Sequence, residues 1–443
     1  MTAPLRRGAC PALSAPMRTG DGLIARLSPV GGAVTPGQFA ALCDAAETFG
    51  NGILEITARG NLQFRGLSQD SAPRLADTVN ALGITARTGV PIETGPLAGL
   101  DPLETLDPRP LAAAIRQAIT ATDLASRLGP KVSVIVDGGG QVAMDDLRAD
   151  IRLRAAANGT VHGWVVALDG HESRQFFIKN DFKNNAVQIT LNVLNEISRI
   201  GPAAHLRDVP SKLLKNILEA FPALTESRPE SPPIGPIGAL TLHDRLALGI
   251  GLAFGQASAA SLRRLAALAT GHGATEMRFS PGRALLILGL DEDGVRALRR
   301  PADALGFVTA ADDPRRLVAA CAGAPACASG HIASRALAGE LAVFAGPLLD
   351  GSLDIHVSGC AKGCAHPAAS VITLIGDAKG CGLVVDGTAT DRPLAHLAED
   401  DVREAIARLG DLFGKSRLPG ENAASCLRRL GVASLSSTFA REQ

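Results

Sequence analysis

The sequence contains no tyrosine, one tryptophan and 3% aromatic residues in all. Proteins that hold single-stranded nucleic acid stack bases on aromatic side chains, and this chain offers almost nothing to stack on. It also lacks an excess of charge: 44 Lys and Arg balance 44 Asp and Glu. A general nucleic-acid binder is basic, so positive charge here can serve only local sites for a small anionic ligand. No apolar run reaches the roughly 20 residues of a membrane-spanning helix. The start, MTAPLRRGACPALSAPMRTGDG, carries Arg6 and Arg7 with no apolar stretch behind them, and does not read as a signal peptide. The expectation is a cytoplasmic protein that binds neither nucleic acid nor membrane.

Cysteine is sparse, at eight residues. Cytoplasmic thiols stay reduced, so closely paired cysteines point to metal or redox chemistry before disulfides. Four of the eight form two close pairs: Cys321 and Cys327 in CAGAPAC, Cys360 and Cys364 in HVSGCAKGCAHP. A set of four suits an iron–sulfur cluster or a structural zinc. Zinc ribbons pair cysteines more tightly, because two thiolates grip one tetrahedral ion from a single turn. A cuboidal cluster is larger, so C-x5-C with C-x3-C favours the cluster. Small neighbours such as Gly323, Ala324, Gly359 and Gly363 let backbone N–H groups approach sulfur. The bland alternative is four buried, inert thiols. Cys10, Cys43, Cys381 and Cys426 have no such partners.

Glycine is abundant, at 48 residues, and 46% of the chain is hydrophobic, enough for two or more cores in 443 residues. TESRPESPPIGPIG, Thr225 to Gly238, is too rich in Pro and Gly for a helix interior or central strand and divides the chain into similar halves. In the first, GLIARL alternates like a strand, Thr35 and Pro36 open a helix that ends at Gly50, and GILEIT and NLQFRGL are strands turning at Arg59-Gly60. In the second, LALGIGLAFG, SAASLRRLAALATGHG, TEMRFS and ALLILGL repeat the order. Leu54–Leu67 aligns without gaps on Met277–Leu290. A duplicated β-α-β-β unit with a pseudo-two-fold core follows. Each unit precedes a longer α/β stretch, which predicts α+β architecture with mixed sheets. In these stretches RPLAAAIRQAITATDLASRLG and DRPLAHLAEDDVREAIARLGDLFGKS read as helices, and VDGGGQV reads as a hairpin turn rather than a nucleotide site.

The cysteine spacing, with HVSGCAKGC as its second half, resembles the sirohaem-dependent sulfite and nitrite reductase superfamily. The resemblance implies two ferredoxin-like half-domains, 15–85 and 239–300, alternating with α/β domains, 90–224 and 310–430, with 225–238 as linker. It implies a [4Fe–4S] cluster on Cys321, Cys327, Cys360 and Cys364, the last also touching the sirohaem iron. RGNLQFRG matches the R-x-x-x-Q motif of the reductases with Arg59 and Gln63, and Arg59 would face macrocycle or substrate carboxylates.

The departures narrow the resemblance. The reductases carry a K-x-K pair in the second domain; here Lys131 remains and Ser133 replaces the second lysine. Another reductase arginine is out of frame, with Arg87 nearby. These losses, with CPALSAPMRTGDGLIARLSP and PLAGLDP, resemble the precorrin-3B synthases, oxygen-dependent monooxygenases of aerobic cobalamin biosynthesis. That resemblance implies precorrin-3A as tetrapyrrole substrate, O2, an external donor such as a reductase or ferredoxin, and a mononuclear non-haem iron beside the cluster. Sirohaem would be the cofactor only if the chain were a sulfite or nitrite reductase; a non-catalytic tetrapyrrole or cluster carrier is a third reading. Arg59 and Lys131 are the expected catalytic residues. Arg59, Gln63, Lys131 and Arg283 are expected to bind substrate. Arg26, Arg65 and Arg278 are further candidates by position alone. The iron ligands are not legible, and His356 and His366 merely flank the cysteine motif.

Overall fold

The structure is a computed structural model. It describes residues 11–142, 144–145, 147–158, 161–168, 176–179, 183–219 and 235–440. Cys10, His171 and most of the expected linker lie outside the described residues.

Capping chemistry starts the first helix where the sequence allows it. Thr35 Oγ1 accepts the Gln38 N–H, Gln38 Oε1 accepts the Thr35 N–H, and Pro36 takes the first helical position. Helix Pro36–Phe49 buries Phe39, Leu42 and Cys43. It stops at Gly50, where a Cβ would stand 2.3 Å from the Arg65 carbonyl oxygen. In the second repeat Ser258 Oγ accepts the Ser261 N–H and opens helix Ala259–Gly271, which buries Leu262 and Leu265.

Each repeat builds a five-stranded antiparallel sheet. The first runs Met17–Thr19, Gly22–Leu27, Leu62–Leu67, Ile53–Ile56, Gln256–Ser258; the second runs Gly238–Thr241, Leu246–Gly251, Ala284–Leu290, Glu276–Ser280, Ala33–Val34. The last strand of each comes from the other repeat. The repeats also share an irregularity. Register shifts lie opposite Gly66 and Gly289, which are equivalent in the ungapped alignment and have φ of 70° and 91°. The two helices pack together over one continuous core, and Phe39 meets Phe279 across it at 5.9 Å between ring centroids. Exchanged edge strands and a joint core make this a single body built from two copies.

The α/β stretches form two further sheets of identical topology. Ile92–Thr94, Val134–Asp137 and Ile151–Asn158 are parallel neighbours, followed by antiparallel Val161–Leu168 and Phe176–Lys179. Val318–Ala320, Ile355–Ser358 and Ser370–Asp377 are parallel neighbours, followed by antiparallel Gly380–Gly387 and Ala395–Leu397. The registers match: Ile92–Val134–Ile151 in one sheet corresponds to Val318–Ile355–Ile372 in the other. The duplication therefore extends through the whole chain.

Several local expectations change. VDGGGQV is not a hairpin. It follows Val134–Asp137 into a crossover to a parallel strand, and turn chemistry alone does not distinguish the two. RPLAAAIRQAITATDLASRLG is two helices, Arg109–Thr120 and Leu124–Arg127. LALGIGLAFG ends as a strand at Gly251. In DRPLAHLAEDDV the helix waits until Val402, because Ala395–Leu397 pairs as an edge strand. The C-terminal helix Ala423–Phe439 passes position 430 and buries Leu435 and Phe439. Among the described residues no helix is long and apolar enough to cross a membrane.

Candidate functional site

Two adjacent parallel strands place the cysteines. Val318–Ala320 pairs with Ile355–Ser358, so the loops that leave their C-terminal ends start side by side. Cys321 opens one loop and Gly359-Cys360 the other. The loops interlock through positions that admit no side chain. A Cβ at Gly359 would stand 2.9 Å from Gly323 Cα, and one at Gly323 would stand 2.5 Å from the Ser334 nitrogen. The Gly359 N–H donates to Cys321 Sγ at 3.1 Å, and that thiol lies 3.7 Å from Ser334 Oγ.

The four cysteines differ from the rest. Cys321, Cys327 and Cys360 are half-buried and Cys364 is exposed. Burial raises the Cys360 thiol above its usual range, and the neighbouring Cys321 and Cys327 raise it further. Those three thiols therefore share one field, and together they would repel as thiolates until a cationic core neutralised them. Burial pushes Cys43 and Cys381 up to about 12, and Cys426 is also raised by burial. Those three are core thiols. An N–H aimed at sulfur, small residues against the loops and half-open thiols fit an iron–sulfur cluster. No three His, Cys, Asp or Glu side chains among the described residues converge as a single metal ion requires.

The expected basic residues fall in different surroundings. Arg59, a third exposed, reaches from the first repeat into the α/β sheet beside it. It donates to Glu93 Oε2 at 3.3 Å, Ser133 Oγ at 3.2 Å and the Arg148 carbonyl at 2.5 Å. Ser133 is the position where the reductase motif has lysine, so an ammonium there would meet the guanidinium. Lys131 is exposed two residues earlier. Gln63 is buried with both amide ends engaged: its Oε1 accepts from Arg26 Nε at 2.7 Å and its Nε2 donates to Glu55. Gln63 thus orients Arg26. Arg87 is bonded to the Ile92 carbonyl, and Arg278 to Glu276 and the Pro96 carbonyl.

Arg283 departs furthest from expectation. It sits on the turn equivalent to Arg59-Gly60, and the two turns touch through a bridge between Arg59 and Pro281. Its Nη2 donates to the Ala365 carbonyl at 2.7 Å, next to Cys364. Arg65, with no motif behind it, proves central. It is buried, forks onto Asp21 at 2.8 Å through two nitrogens, bonds Glu55 at 3.0 Å and donates to the Ala326 carbonyl at 2.8 Å, beside Cys327. Burial opposes its charge, but Glu55 and Asp21 outweigh that and raise its pKa. Arg335, one residue beyond Ser334, also pairs with Glu55, at 2.7 Å. The alternation of LQFRGL puts Arg65 on the same face as Gln63, which was the one sequence signal available.

His356 flanks the cysteine motif in sequence and is the most unusual side chain here. It is wholly buried, and neither ring nitrogen has a hydrogen-bond partner. Burial, then His366, lowers its pKa to about 4, so the imidazole is neutral. The His366 ring lies 5.7 Å away, with its Nε2 3.7 Å from Asp354.

Comparison with known proteins follows this geometry. Over 438 residues the chain is 41% identical to a precorrin-3B synthase of Sinorhizobium sp, covering 99% of this chain and 95% of that protein. The chain belongs to the precorrin-3B synthase family. Residues 15–82 match the nitrite/sulfite reductase ferredoxin-like half domain. The ferredoxin sulfite reductase 2 of Mycolicibacterium paratuberculosis is 24% identical over 455 residues, covering 90% of this chain and 80% of that protein. The solved structure of the Mycobacterium tuberculosis NirA protein superposes with a TM-score of 0.75 at 20% identity, over 93% of this chain and 84% of that one. That likeness shows the fold alone.

Proposed function

We propose that the chain is a precorrin-3B synthase: it hydroxylates precorrin-3A with O2 and closes a γ-lactone on the ring. The observation that carries this reading is the full-length identity to a precorrin-3B synthase, joined to a site whose second lysine position is Ser133 bonded to Arg59. Reduction of sulfite or nitrite calls for concentrated positive charge around a small anion, and Ser133 removes one such charge. A macrocycle bearing acetate and propionate arms needs dispersed contacts instead. Arg59, Lys131 and Arg26 held by Gln63 would supply them as forked or point-like donors. Arg283, also expected to bind substrate, would serve it indirectly through the loop of Cys364.

Cys321, Cys327, Cys360 and Cys364 would hold a [4Fe–4S] cluster, which supplies single-electron transfer when bound. Gly359 and Ser334 orient Cys321 for that role. One oxygen atom enters the ring as hydroxyl. The other leaves as water, taking two electrons from an external donor and two protons. The atom that enters adds to one carbon of a ring C=C bond; as that π bond breaks, a ring carboxylate forms the lactone C–O bond to the other carbon, and the carboxyl proton ends on the new hydroxyl. The chain has no G-x-G-x-x-G unit, so reducing equivalents would come from a partner reductase or ferredoxin in the cytoplasm.

Purification without air from a sirohaem-producing host tests the reading. Cluster absorption, iron and sulfide without extractable pigment support it. A stoichiometric sirohaem band would make the chain a sulfite or nitrite reductase.

A further inference from the structure

One arginine from each repeat reaches a cysteine loop: Arg65 bonds Ala326 in the first loop and Arg283 bonds Ala365 in the second. Their electrostatics differ. Arg65 is neutralised by Asp21 and Glu55. Arg283 has no carboxylate bonded to it among the described residues; its hydrogen bond runs to a neutral carbonyl. Burial lowers its pKa first, and the like charge of Arg335 lowers it further, with Glu55 acting more weakly the other way. A buried guanidinium without an anion is costly unless something negative faces it.

The backbone is committed to the same end. Arg283 has φ of 60°, in the left-handed region, where the aligned position of the first repeat is Gly60 with φ of 74°. A non-glycine residue there is held in a sparsely populated, strained conformation. Gly255 leaves room beneath it, since a Cβ at Gly255 would stand 2.8 Å from Arg283 Cδ. The second repeat thus carries a strained residue and a cleared space to bring one cation against the loop of Cys360 and Cys364.

We infer that Arg283 is the positioning residue of the second cysteine loop and that its charge raises the reduction potential of the cluster held there. The inference rests on the four cysteines holding a [4Fe–4S] cluster. Four thiolates leave such a cluster net negative, and each added electron makes it more so. A buried cation stabilises the reduced form more than the oxidised one. The Arg65 side of the cluster lacks this effect, because its charge is already balanced.

The test is a redox titration, followed by electron paramagnetic resonance, of the anaerobically purified full chain and its R283Q, R283M, R283K and R296Q variants. Arg296 is exposed on helix Glu292–Ala304 and serves as control. R283Q is expected to lower the midpoint potential, R283K to lower it less, and R296Q to leave it unchanged. If R283Q does not retain its cluster, R283M, which also removes the charge, decides the matter, with a downward shift again expected. Wild-type potential in cluster-loaded R283Q, or in R283M when R283Q loads none, overturns the inference and leaves the cysteine assignment standing. Absence of iron and sulfide from the wild-type protein overturns the cysteine assignment, and this inference with it.

Discussion

Ser133 Oγ accepts a 3.2 Å hydrogen bond from Arg59 Nη2, where the reductase motif places a lysine. The hydroxyl is buried and Arg59 is also paired with Glu93. A lysine would set a second cation against the guanidinium at a buried backbone position. S133K is therefore expected to lose about 3 kcal/mol of stability and S133A about 1 kcal/mol. Chemical denaturation of the two variants measures both, and an S133K protein as stable as wild type would contradict the assigned geometry.

Arg59 should matter to substrate as well as to folding, since its guanidinium also bonds Glu93 and Ser133. R59K keeps the charge but loses the planar fork. A lost charge-assisted hydrogen bond is worth roughly 1.5–3 kcal/mol, so precorrin-3A binding should weaken by about tenfold to a hundredfold. Tight binding retained in R59K would remove Arg59 from the substrate site.

The four paired cysteines and the buried ones should separate cleanly. Serine at Cys321, Cys327, Cys360 or Cys364 is expected to abolish most of the bound iron and acid-labile sulfide. C426A should retain both, since Cys426 is a core thiol. Loss of the cluster in C426A alone would invert the assignment.

His356 gives stability a pH dependence. Its folded pKa lies near 4, below the unfolded value of 6.5. Below pH 6.5 the unfolded chain takes up a proton that the native imidazole refuses. Stability present above that pH is lost as pH falls toward 4, by up to about 3 kcal/mol. H356L removes this proton and two unsatisfied ring nitrogens. Its denaturation midpoint should fall less between pH 7 and pH 5 than that of wild type. Equal slopes would show that the ring is not held neutral.

Much of the fold was legible because its signals are local. The Thr35 cap, the alternation of GLIARL and the aligned turns at Arg59 and Arg283 each depend on a few neighbouring residues. The exchange of Ala33–Val34 and Gln256–Ser258 between sheets was not legible, because two- and three-residue strands leave no periodicity to read. VDGGGQV misled for a related reason. Its glycines make a turn, but only the distant strand partner decides whether the chain doubles back. The register shows it to be the counterpart of the VSGCAKG loop in the second α/β sheet, without the cysteines. Spacing alone picked out Cys321, Cys327 and Cys360, whose thiols the structure brings into one field. Arg65 and His356 were not legible, since burial and the lack of a hydrogen-bond partner are properties of packing rather than of spacing.

The central claim is the oxygenation of precorrin-3A, and turnover under isotopically labelled dioxygen tests it most directly. The cluster-loaded protein, precorrin-3A and a reducing partner would be combined and the product weighed by mass spectrometry. The account predicts a lactone that retains one labelled oxygen atom. An unchanged macrocycle, from protein that instead reduces sulfite or nitrite with bound sirohaem, would contradict it.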